Sequence, residues 1–213
     1  MSDVIRAGAS LRVGDTVPFG RYRQGDGNRP KDVRPLLWQV LDVADGRALL
    51  ITKQAINVKW YHKSSRRVTW ERCTLRTLFL NGRFLDAAFR PAERRRILVT
   101  AVRADRNPKY DADPGTDTQD RIFLLSASEA ERYFDSRTAR QCCPTDYARY
   151  RGANSWGPYH ESFSDCCWWW LRTPGCTNKY AMGVDLGGDI RYAGQDVRSN
   201  GNCVRPALWL RLT

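Results

Sequence analysis

Histidine is almost missing from this sequence: among 213 residues only His62 and His160 carry an imidazole. HExxH, GxSxG and P-loop patterns are absent too, so a zinc protease, a serine hydrolase or a P-loop nucleotidase would lack its working parts. No apolar run approaches the roughly 18 residues of a membrane helix, and residues 1–11 lack the apolar stretch of a signal peptide. These absences predict a soluble, cytoplasmic protein without membrane insertion, which would reach a phage particle or a cell surface only by another route. No Pro/Gly/Ser linker, low-complexity tract or repeat divides the chain, so one domain over 1–213 is expected.

The CxxC spacing of structural zinc sites is missing as well. Seven cysteines are present, an odd number, with Cys142-Cys143 and Cys166-Cys167 adjacent and Cys73, Cys176 and Cys203 alone. Their expected role is that of small buried hydrophobes in a reducing compartment, with neither metal nor cofactor.

Positive charge, by contrast, is plentiful. The formal net charge is +12, and residues 1–150 hold 28 Lys/Arg against 18 Asp/Glu while residues 151–213 hold 7 against 5. The excess therefore sits in the first two-thirds, where its densest cluster, Arg90 with Arg94, Arg95 and Arg96, lacks the interleaved aromatics of a single-strand platform. A solvated basic face is the reading this favours over a nucleic-acid surface.

Residues 13–22, 36–43 and 47–52 read as an antiparallel meander, the last two joined by the Asp45-Gly46 turn. Leu75, Leu78 and Phe79 have helical spacing within 69–80, ended by Asn81-Gly82, and Pro91 suits the start of a short helix through Ile97. Short strands are expected at 98–102 and 121–125, around a solvated loop carrying Asp111, Asp113, Asp117 and Asp120. Ser126 and Glu129 form a capping box that predicts a helix over 127–134. Residues 151–165 have no period yet carry Trp156, Tyr159, His160 and Phe163 among Ser, Gly and Asn, the composition of a paratope. Three consecutive tryptophans, Trp168 to Trp170, are costly to leave in water, so at least two should bury indole area in a strand. Residues 180–186 and 190–193 read as a hairpin around Gly187-Gly188, and Leu208, Leu210 and Leu212 alternate along a closing strand.

Five segments together resemble a bacterial and phage family of unassigned function: VGDTVPFGRY at 13–22, TWERCTLRTLFLN at 69–81, FLLSASEAERYF at 123–134, WWLRTPG at 169–175 and VRPALWL at 204–210. Thr173 stands where serine is usual, and Cys203 where glycine is usual. That family is similar to the C-type-lectin-like fold shared by formylglycine-generating enzymes and the variable proteins of diversity-generating retroelements. The resemblance implies an α+β domain of C-type-lectin-like type, a mostly antiparallel sheet with two or more flanking helices. It places the opening strand near Phe19 beside the C-terminal strand, with helices at 70–80 and 127–134.

It further implies a binding protein rather than an enzyme, in which adenine-directed mutagenesis rewrites chosen codons of a ligand-binding portion at about 151–213. Residues free to vary without touching the core should sit on loops and outward strand positions. The candidate ligand-binding residues, expected on one surface, are Asn154, Trp156, Tyr159, His160, Asn178, Tyr180, Asp189, Arg191, Tyr192, Asp196, Ser199 and Asn202, with Arg172 and Arg205 as buried scaffold. A protein is the favoured partner, a glycan the alternative. Two other readings remain: a formylglycine-generating-enzyme-like oxidase, which needs a cysteine spacing that adjacent pairs do not supply, and a basic nucleic-acid-binding protein.

Overall fold

The Asp45-Gly46 turn organises the first sheet. Both residues have positive φ, 52° and 69°, the type I′ geometry whose twist matches paired strands. It joins β2 (Val33–Ala44) to β3 (Arg47–Thr52), and β2 pairs on its other side with β1 (Thr16–Arg23). The computed structural model describes residues 11–28, 32–153 and 165–212. The closing strand β11 (Ala207–Arg211) lies antiparallel to β3, giving the order β1-β2-β3-β11. The opening strand is thus not beside the C-terminal strand as expected: successive local hairpins occupy both sides of β2, and β11 pairs with β3, at the opposite edge of the sheet from β1.

A second sheet has the order β4-β10-β7-β8-β9, built from β4 (Asn57–Val58), β7 (Trp169–Pro174), β8 (Tyr180–Val184), β9 (Ile190–Asp196) and β10 (Cys203–Val204). Only the β10–β7 pair is parallel among its described ladders. A two-stranded ladder joins β5 (Thr100–Val102) to β6 (Thr118–Asp120). The expected strand at 121–125 is replaced by β6 upstream and by a single bridge from Phe123 to Ala207. Among the described residues five short α-helices complete the mixed α/β architecture: α1 (Leu85–Ala88), α2 (Pro91–Arg96), α3 (Ala127–Tyr133), α4 (Arg137–Arg140) and α5 (Asp146–Tyr150). None among the described residues is long and apolar enough to cross a membrane.

The helix expected over 69–80 is divided and runs further. A 3₁₀ turn, Trp70–Arg72, precedes a wide helix over Leu75–Phe84 that passes through Asn81-Gly82, with the Leu85 amide donating to Leu80 O. Asn81 does not stop it because its carboxamide is engaged from outside: Nδ2 donates to Ile122 O at 2.9 Å, and Oδ1 accepts from the amides of Arg121 and Ile122. Asp120 receives Arg76 Nε at 2.7 Å, Trp70 Nε1 at 3.2 Å and Asn81 Nδ2 at 3.1 Å. Three positions of the TWERCTLRTLFLN segment therefore converge on one carboxylate. Asp120 is 2% exposed, so it leaves the solvated group in which the sequence places it, while Asp111, Asp113 and Asp117 are exposed.

One apolar cluster extends through both large sheets and the helices. Trp38, Trp169 and Trp170 are fully buried, and each indole N–H is satisfied: by Phe19 O at 2.7 Å, Arg140 O at 3.1 Å and Lys59 O at 2.8 Å. Trp168 stands half-buried on the same strand face as Trp170, with the Arg191 guanidinium 5.8 Å from its ring centre. Leu208 and Leu210 are core, as the alternation predicts.

Candidate functional site

The motif residues interlock inside the scaffold rather than at a site. Glu129, the partner of Ser126 in the capping box of α3, also grips the Arg172 guanidinium of β7, Arg172 Nη2 lying 2.8 Å from Glu129 Oε1. Arg172 Nη1 donates to Leu124 O at 2.8 Å and Nε to Arg103 O at 3.2 Å. Arg205 donates through Nε to Thr52 O and lies 5.0 Å from the ring centres of both Phe134 and Trp169. Both arginines are nearly inaccessible, at 3% and 2% exposed. A buried guanidinium needs such partners, since an unpaired charge in the interior costs several kcal/mol.

Of the candidate ligand-binding residues, Asn154, Trp156, Tyr159 and His160 lie outside the described residues. Tyr180 and Asp196 face each other across the open end of the β8–β9 hairpin, both exposed. Ser199, in the following turn, donates to Gln195 Oε1 at 3.3 Å, and Asn178 donates through Nδ2 to Asp113 O at 2.7 Å. Arg191 and Tyr192, neighbours on β9, point to opposite faces of the sheet. Arg191 forms an ion pair at 2.8 Å with Asp185, which is 2% exposed. Tyr192 hydrogen-bonds Glu131 from the other side, which raises its phenol to about 12, and Lys109 Nζ lies 4.1 Å from its ring centre. Asp189 pairs with Arg137 on that side at 2.8 Å. Asn202, expected on the exposed surface, is fully buried, because its backbone continues the β10–β4 pairing inside the second sheet, its carbonyl accepting from Lys59 N.

The cysteines are free thiols, five of them buried. The two adjacent pairs meet: Cys167 N donates to Cys142 O at 2.9 Å, Cys142 contacts Cys167, and Cys143 contacts Cys166. Burial pushes their thiols up, Cys166 to about 11 and the isolated Cys73 to about 12. At neutral pH these are protonated thiols and poor nucleophiles. Among the described residues no group of three or more His, Cys, Asp or Glu is arranged to hold a metal.

A feature passed over by the sequence reading lies elsewhere. A cavity of about 410 Å³ opens between β1, β4 and the wide helix, with Arg23, Lys59, Lys63 and Arg83 on its walls and Tyr22, Phe79 and Tyr147 behind them. A second hollow of about 300 Å³ shares Lys59 and Trp60 with it and adds Arg151. Burial, then Arg151 and Arg83, depress the Lys59 ammonium below its usual range. The run Lys59-Trp60-Tyr61-His62-Lys63 carried the signal, since it sets two adjacent aromatics between lysines.

Fold and surface together define a mixed α/β architecture with mostly antiparallel sheets and a buried ionic scaffold. The DUF6273 family, a domain of unknown function, matches residues 45–212, and the chain belongs to it. No curated protein and no solved structure matches it.

Proposed function

We propose that this protein is a ligand-binding module of C-type-lectin-like fold, the variable protein of a diversity-generating retroelement, whose β8–β9 hairpin and adjoining loops recognise a protein ligand. The observation that carries this reading is the contrast between an inner strand and the edge strand of the second sheet. All six residues of β7 are buried, whereas no residue of β9 is. Side chains on β9, and Tyr180 at the exposed start of β8, can therefore change while β7 and the rest of β8 keep the scaffold. Tyr180, Asp196, Ser199 and Asn178 form the part of the face with least structural duty. Arg191, bound to a buried carboxylate, is the residue least free to vary.

The gene's neighbourhood tests it: a reverse transcriptase and a near-copy of the 3′ coding sequence, differing only at adenines, are expected. In the protein, Tyr180→Ser and Asp196→Asn should each leave unfolding free energy within about 0.5 kcal/mol of the parent, as surface changes do, while Arg191→Ala should cost more by stranding Asp185. Absence of the repeat removes the retroelement; unfolding by Tyr180→Ser removes the display face.

A further inference from the structure

The segment 59–63 is fastened at nearly every residue. Lys59 N donates to Asn202 O, and Lys59 O accepts the indole proton of buried Trp170 at 2.8 Å. Tyr61 Oη donates to Arg172 O at 2.9 Å and Tyr61 O accepts from Leu75 N. His62 N donates to Val197 O while His62 Nδ1 accepts from Thr74 N, and Lys63 N donates to Thr74 Oγ1 at 3.0 Å. Between Lys59 and the 2%-exposed Tyr61, the Trp60 side chain is nevertheless held out at 48% exposure. A rigid backbone that presents a bare indole has already lost the entropy a contact would cost, the arrangement found at binding anchors.

Among the described residues, the charged groups lining the hollows beside that indole are all positive. Arg23, Lys63 and Arg83 line the larger hollow, Arg151 the smaller, and Lys59 both; among the described residues no carboxylate lines either, and none of the five cations is held in an ion pair. Clusters of like charge oppose folding, and several arginines elsewhere are ion-paired, as at Arg76, Arg94, Arg137 and Arg172. Leaving five together beside an aromatic plate suits a ligand with several negative charges and a flat ring. We propose that this groove binds a nucleotide, with the base stacked on Trp60 and phosphates against the cations on either side. The nucleotide is either free or a unit of a single strand; the two sources share this chemistry. The larger hollow lies within the ~300–1,000 Å³ of small-molecule sites, and the continuation past Trp60 into the smaller one would let a strand run on. The smaller hollow reaches the turn after β9 through Asn200, but nucleotide probes test this groove whereas the 3′ repeat tests the display reading, so the two can fail separately.

The test uses the full chain and three probes: adenosine triphosphate by calorimetry, a fluorescent oligothymidylate of about 12 nucleotides by anisotropy, and a heparin fragment as a polyanion without flat rings. Binding of the oligonucleotide, or of the triphosphate alone, is expected, and which of the two binds identifies the source. Trp60→Ala should weaken it about tenfold or more, Trp60→Phe should restore most of that loss, and Arg83→Gln should weaken it without abolishing it. For a strand, Arg83→Gln should also reduce the dependence of log K on log salt by about 0.7. Urea melts matching the parent confirm that these exposed-residue variants are folded. Failure of both nucleotide probes to bind at about 50 mM salt overturns the proposal. So does heparin binding as tightly with Trp60→Ala without effect.

Discussion

At the scale of single residues, the buried polar groups are chosen so that one side chain satisfies several partners. Glu129 caps α3 and holds Arg172; Asp120 holds Arg76, Trp70 and Asn81; Trp170 fills the core and fixes the carbonyl of Lys59. The tryptophan triplet tests this directly, since its members have different duties. Trp170 is fully buried, with its ring 5.7 Å from Tyr61 in an edge contact. Trp170→Ala should cost about 3–5 kcal/mol through lost contact and the cavity it leaves, and frees a buried carbonyl besides. Half-buried Trp168→Ala should cost much less. Urea melts with unchanged m-values would measure both. Equal small losses at the two positions would mean that the strand is not the base of the sheet.

At the scale of elements, legibility followed how local the deciding forces are. The type I′ turn at Asp45-Gly46 and the capping box at Ser126 are settled by neighbours within four residues, and both are found where the sequence places them. β4 has two residues and exists because β10 pairs with it, so no period announces it. The wide helix overruns Asn81-Gly82 because partners some forty residues away occupy the asparagine. The candidate face was legible as a hairpin, and strand alternation alone sets Arg191 and Tyr192 on opposite faces, against the expected single surface, whereas the burial of Asn202 depends on packing from other segments. The hairpin's bulge supplies an element-scale prediction. Gly194 has φ of 76°, and a Cβ there would lie 2.6 Å from Ala181 O. Gly152, at φ of 88°, has nothing within 4 Å. Gly152→Ala should therefore cost only the left-handed penalty of about 1–2 kcal/mol, whereas Gly194→Ala adds a backbone clash and should cost more while speeding amide exchange along β9. Equal costs would show that the bulge yields freely.

At the scale of the whole molecule, the family match begins at residue 45, inside the turn, and leaves β1 and β2 outside it. Physically those strands are integral. β2 pairs with β3 from Trp38↔Thr52 to Ala44↔Arg47, and Phe19, Leu36, Trp38 and Val40 are each 3% exposed or less. Trp38 and Phe19 pack on Phe89 with ring centres 6.2 and 5.2 Å away, and β1 also supplies Tyr22 and Arg23 to the basic cavity. A large buried aromatic alone contributes about 3–5 kcal/mol, against a total stability of about 5–15 kcal/mol for a natural domain, so losing four buried apolar side chains and a sheet partner exceeds what the remainder can spare. A chain cut to 45–212 would also bare an edge of β3, an invitation to intermolecular pairing. We expect it to give a shallow, concentration-dependent urea transition and light scattering, where the full chain melts cooperatively. A cut chain that melts as sharply, with unchanged near-ultraviolet dichroism, would make the first hairpin an appendage and move the base of the fold to β3 and β11.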